Sequence, residues 1–316
     1  MKRPLLLLVS VVATACGGSG TGVDGAVLDA GPRDSTTGGR DAGRDGGLDG
    51  GGDTGEGRGD AGVDAEVGTA GCRSGAGLPE GANTFSLGGR ERRFVLRLPD
   101  GYRGARPWPL VLALHGNGGS ASYWDATSGV RDIRDVLRTE AVLVIAEAID
   151  GKWRDYDMPR ETWPARIEQE LAYFDHVLAL VREELCLDET ATFAMGFSGG
   201  GSFSGVLGCR RTDIRAFAAG GAVIYFDETD CVGRPAAWIT LGDEELDGRE
   251  PFREFWRLRA GCADVGAGVP PDPSQCVAYG GCDPTTPVHY CQHPGGHVWP
   301  DYGSQAMWRF FAQFVH

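Results

Sequence analysis

In TFAMGFSGGGSF, residues 192–203, a single serine stands between glycines as Gly196-x-Ser198-x-Gly200. A serine hydroxyl attacks a carbonyl only when a base takes its proton, an acid orients that base and donors receive the developing oxyanion. The chain holds 51 glycines, so a chance match is cheap and the pattern gains weight only from its setting.

Three histidines follow the serine near the end of the chain. His289 lies inside the apolar run PVHYC (287–291), where a buried structural ring is expected, and His293 precedes a proline at the exit of that run. His297, in HPGGHVWP, follows two glycines that free the backbone to carry a ring over a sheet edge, so it is the expected base. Candidate acids crowd behind AAWITLG (236–242). Spacing from Gly242 favours Glu245, residue type favours Asp243 or Asp247, and Glu245 and Asp243 stand ahead. The oxyanion donors are expected in His115-Gly116-Asn117-Gly118-Gly119, with the N–H of Gly199 behind the serine.

The elements that must position these residues read as alternating strands and helices. FVLRL (94–98) alternates and runs into Pro-Asp-Gly, a strand ending in a turn. PLVLAL (109–114) and AVLVIA (141–146) are continuous apolar runs, as strands buried on both faces of a parallel sheet require, and ATFAM (191–195), IRAFAAGG (214–221), AAWITLG and PVHYC read as further strands. Helical stripes are expected around 130–137, over 167–185 and from 202 onward. That alternation implies right-handed crossovers and a mostly parallel sheet. Ser198 then sits on a sharp strand-to-helix bend above the carboxyl ends of the strands.

Composition divides the chain. Residues 1–16, MKRPLLLLVSVVATAC, have the charged start, short apolar run and small residues of an export signal, too short to span a bilayer. Cys16 before Gly17 resembles a bacterial lipobox, so a lipid anchor at Cys16 is expected. Residues 17–71 hold 20 glycines, 9 aspartates and no aromatic residue, too little apolar surface to offset the entropy of folding, and are expected to be a disordered linker. Their irregular spacing argues against calcium repeats. Half of the net charge of −14 lies there, and no basic patch suggests a nucleic-acid partner. Residues 72–316 form the expected catalytic domain, with neither metal nor cofactor implied. Eight cysteines besides Cys16 favour four disulfides in an exported protein; their spacing is not that of a zinc site, and their pairing stays open.

LHGNGGS, YFDHVLALVREELCLDETATFAMGFSGGG and GGHVWP together resemble the secreted esterases of the polyhydroxybutyrate depolymerase-like group, which includes feruloyl and acetylxylan esterases of the α/β-hydrolase superfamily. The resemblance covers roughly residues 85–316. It implies the α/β-hydrolase fold, a surface-anchored or secreted serine ester hydrolase, and a polyester or polysaccharide ester as substrate. It also implies Ser198, His297 and an acid next to Gly242 as the triad, with Asn117 and Gly199 as oxyanion donors. Where that group carries His-Gly-x-x-Asp, this chain has Leu241-Gly242-Asp243-Glu244-Glu245, which leaves the acid open. Trp299 is a candidate substrate contact, and Trp153 a weaker one. A peptidase, or an idle binding module on the same fold, is the rival reading.

Overall fold

The computed structural model describes residues 68–316 except 76, 105 and 271–273. The expected export signal, Cys16 and the Gly/Asp-rich segment up to residue 67 lie outside the described residues. The backbone is already tied to the fold at Thr69, whose N–H donates to Leu187 O (3.0 Å), three residues ahead of the boundary expected at 72.

Among the described residues, ten strands form one sheet: β1 (Gly81–Leu87), β2 (Arg90–Arg97), β3 (Trp108–Leu114), β4 (Val142–Ala146), β5 (Leu187–Phe197), β6 (Ala216–Gly220), β7 (Ala236–Gly242), β8 (Gly266–Gly268), β9 (Cys276–Tyr279) and β10 (Val288–His293). Their spatial order is β1-β2-β4-β3-β5-β6-β7-β10-β9-β8. The run from β4 to β10 is parallel, and an antiparallel pair closes each side. Every residue of β3, β4, β6 and β7 is buried, which accounts for their continuous apolar sequences.

Helices cover both faces. Leu110, Leu112 and Leu114 of β3 share a core with Phe174 and Val177 of α3 (Trp163–Glu184), Phe203 of α4 (Gly199–Arg210) and Trp256 of α5 (Glu250–Arg259). Val111 and Ala113 of the same strand face Ile133 of α2 (Ile133–Val136) and Phe311 of α6 (Gly303–Ala312). Period-two alternation along one strand thus feeds two separate cores. The helix expected around 130–137 is a single turn, whereas that expected over 167–185 starts earlier, at Trp163. This is the α/β-hydrolase arrangement that the resemblance implies. The chain passes from β3 to β4 on one side and returns to β5 on the other. The crevice at the carboxyl ends of β3 and β5 is therefore the topological switch point, where open α/β sheets hold their ligands.

The eight cysteines pair as Cys72–Cys186, Cys209–Cys231, Cys262–Cys282 and Cys276–Cys291. Such a set forms and persists in an oxidising compartment, which marks an extracellular protein.

A buried ion pair anchors the loops near the switch point. Glu170 of α3 is fully buried and meets Arg92 (2.6 Å) and Arg166 (3.7 Å). Its other oxygen accepts from Ile149 N (3.0 Å), and Arg166 donates to Ile149 O (2.7 Å). The turn fixed in this way offers Gly151 O to Gly118 N (2.8 Å), so a core carboxylate orders the loop after β3 through the loop after β4. Glu170→Ala would leave two guanidinium groups without their buried partner. It is expected to cost about 3–5 kcal/mol in a urea melt, and a loss under about 1 kcal/mol would show that the pair does not brace this turn.

Candidate active site

Ser198 follows β5 directly and precedes α4. Its backbone lies at φ 57°, ψ −122°, a conformation that a residue with a Cβ holds only when its surroundings impose it. Two bonds do so here: Ser198 N donates to Gly220 O (2.8 Å), and Ser198 O accepts from Ser202 N (2.9 Å). The glycines make the bend possible, since a Cβ at Gly196 would strike the Gly200 carbonyl and one at Gly200 would strike Leu114 O. The side chain is half-buried, and its Oγ has no hydrogen-bond partner among the described residues.

His297 packs against the residue before the serine. Its ring centroid lies 4.5 Å from that of Phe197, and it rests over Gly221, where any Cβ would collide with the imidazole. Nδ1 donates to Glu245 Oε2. Because that nitrogen carries the proton, Nε2 holds the free lone pair, the tautomer a general base requires.

Glu245 is buried, and each of its oxygens is held. Oε1 accepts from Gly242 N (3.0 Å), while Oε2 meets His297 and Arg249 Nε (2.9 Å). Burial works to raise its pKa, but the His297 hydrogen bond, the Gly242 amide and the Arg249 guanidinium outweigh it and hold the carboxyl below its usual range. The group is therefore ionised wherever an imidazole can act as a base.

The loop after β3 runs beside the serine, where a Cβ at Gly116 would lie 3.5 Å from that of Ser198. Gly118 N and Gly119 N are engaged within the turn by Gly151 O (2.8 Å) and Gly116 O (3.0 Å). Asn117 N has no partner among the described residues, and Gly199 N, in the first turn of α4, has no intrahelical acceptor. The Asn117 amide is pressed against Gly199, leaving no room there for a Cβ. It donates to the Tyr225 hydroxyl (3.1 Å) and accepts from Trp153 N (3.4 Å). The two free amides thus flank the serine.

Known proteins match this chain over most of its folded part. The Esterase family model matches residues 86–219, from β1 through β6. Feruloyl esterase C of Emericella nidulans is 27% identical over 263 residues, covering 76% of this chain and 90% of that protein. Feruloyl esterase D of Neurospora crassa is 26% identical over 287 residues, covering 79% and 92%. Among solved structures, a ferulic acid esterase of Anaeromyces mucronatus superposes with a TM-score of 0.53 at 15% identity, over 77% of this chain and 93% of that one, a likeness of fold. The chain has the α/β-hydrolase fold and is similar to esterases over most of its folded part. Its reaction is hydrolysis of a carboxylic ester.

The esterase settles two questions of position. Asp243 accepts from Gln292 Nε2 (2.7 Å) and is exposed, with no contact to His297, and Asp247 is exposed as well. Of the carboxylates after β7, Glu245 is the one on the imidazole. Trp299, expected at the substrate, is instead 3% exposed and packs edge-on against Trp124 and Phe197 and tilted against Trp238. It is core, and it touches the same Phe197 ring that packs on His297. Trp153 is also core, its indole donating to His115 O (2.7 Å). His289 is half-buried beside Phe310, where desolvation pushes its pKa down to about 4.

Sequence reasoning missed Arg249, which holds the Glu245 carboxylate from outside and donates to Gly221 O (3.1 Å). Its signal was the i, i+4 spacing from Glu245. It also missed Tyr225, for which the sequence held no signal.

Glu245→Gln is expected to lower kcat about 10³–10⁴-fold, because an amide no longer selects the Nδ1–H tautomer. Asp243→Asn should stay within about threefold of the parent. Steady-state hydrolysis of 4-nitrophenyl acetate by the two variants reads the difference, and reversed effects would move the acid to Asp243.

Proposed function

We propose that Ser198, His297 and Glu245 form the catalytic triad of this esterase, with the backbone amides of Asn117 and Gly199 as its oxyanion donors. The observation that carries this reading is the buried Glu245 on His297 Nδ1, beside a serine held at positive φ. His297 Nε2 takes the Ser198 proton as Oγ attacks the ester carbonyl. The tetrahedral oxyanion is met by two amides that need no reorganisation. Collapse expels the alcohol, protonated by His297, and leaves an acyl-serine. Water activated by the same imidazole then releases the acid.

The substrate class that the relatives support is a hydroxycinnamate ester of a plant carbohydrate, since feruloyl esterases match over nine-tenths of their own length. Residues 1–16 and Cys16 fit an enzyme anchored by a lipid at a bacterial envelope, with residues 17–71 as its tether.

Ser198→Ala is expected to lower kcat for methyl ferulate at least about 10³-fold and to abolish labelling by a fluorophosphonate probe. Parental turnover or labelling in the purified variant would refute the assignment of Ser198.

A further inference from the structure

We propose that Arg154, clamped between Tyr225 and Trp163 beside the oxyanion loop, binds a carboxylate carried by the ester, so that this enzyme prefers anionic esters. The proposal rests on the Ser198-centred site described above.

The position is defined by short contacts. Arg154 follows Trp153, whose backbone N–H reaches the Asn117 side chain, and the Arg154 guanidinium lies 3.8 Å from the Tyr225 ring centroid. The Tyr225 hydroxyl in turn accepts from Asn117 Nδ2 (3.1 Å), so one aromatic ring separates Arg154 from the loop proposed to hold the oxyanion. The same guanidinium lies 3.8 Å from the Trp163 ring centroid. Two rings fix its plane and leave its edge as the recognising surface.

The charge lacks an acid. Among the described residues, no carboxylate lies within ion-pair distance of Arg154, and its Nε is buried without a hydrogen-bond partner. The acids of its own loop are engaged elsewhere, Asp155 with Arg166 (3.3 Å) and Asp157 with Lys152 (2.6 Å). A second guanidinium, that of Arg160, also sits over Trp163 (5.3 Å), again with no acid within ion-pair distance. Burial and the Arg160 charge both work against the charged form of Arg154, opposed only by Tyr225. In a chain of net charge −14, two arginines converge on one indole without a counter-ion. A half-buried cation without a counter-charge is unfavourable by itself, and an anionic ligand on its free edge relieves that cost. The ground around it suits a bulky substrate, with Tyr156 47% and Met158 52% exposed on the same loop.

The planar fork of arginine matches a carboxylate through paired N–H bonds. A uronate on the sugar side or a carboxylate on the acyl side would present the same group, and matched ester pairs separate the two. For charge on the leaving group, 4-acetoxybenzoate is compared with its methyl ester. For charge on the acyl chain, 4-nitrophenyl hydrogen adipate is compared with 4-nitrophenyl hexanoate.

In the full chain, Arg154→Met is expected to lower the charged-over-neutral ratio of kcat/KM at least about tenfold in one of the two pairs, mainly through KM. Arg154→Lys, which keeps the charge without the fork and guards against misfolding of the first variant, should fall between. The parental ratio should also shrink as salt rises from about 10 mM to about 500 mM. A ratio unchanged within threefold in both pairs, or an equal loss on charged and neutral members, would overturn the proposal. Calorimetry on Ser198→Ala with the same esters reads the inference without turnover. Tighter binding of a charged member that disappears on adding Arg154→Met upholds it, even if the parent protein were to hydrolyse neither pair, an outcome that would count against the triad alone. Equal binding of charged and neutral members would overturn it while leaving the triad intact.

Discussion

The forced turn of the backbone at Ser198 is the constraint around which the rest of the molecule is arranged. A non-glycine residue at φ 57° costs on the order of 1–3 kcal/mol, and the turn persists because strands on both sides hold it. Gly220 of β6 takes its N–H, Leu114 of β3 crowds the helix start, and Gly196 and Gly200 yield the space. The strain points one hydroxyl out of the sheet and leaves the first amides of α4 unpaired beside it. The outward hydroxyl and the unpaired amide beside it are therefore two results of one bend.

Glu245 and His297 come from strands farther along the same sheet. β7 and β10 are parallel and in register, with Gly242 opposite His293, so their loops leave the sheet side by side. Glu245 lies three residues beyond one strand end and His297 four beyond the other, and the two meet above Gly221. The carboxylate cannot turn away, because the Gly242 amide holds one oxygen while Arg249 and the imidazole share the other.

Much of this was legible beforehand. The parallel core strands were visible because burial on both faces demands unbroken apolar runs, and β7 was read to the residue. Ser198, His297 and the oxyanion loop were visible because their glycines have few other reasons to cluster. The edges were not. β8 is Gly266-Ala267-Gly268, with no side-chain pattern to read, and β9 pairs through backbone and a disulfide. The acid stayed open between Glu245 and Asp243 because loop charges look alike until burial separates them. Trp299 misled because proximity in sequence to the histidine says nothing about the face on which an indole lies. Arg154 drew no notice, since what distinguishes it is the absence of an acid beside it in space.

The Cys209–Cys231 bridge joins the far end of α4 to the segment that follows Tyr225. The helix that begins at the reactive serine and the wall that touches Asn117 are in this way fastened into one body. A ligand arriving on that side meets a surface whose ordering entropy was already lost when the chain folded and oxidised. More of the contact energy then remains for affinity and for selection among substrates.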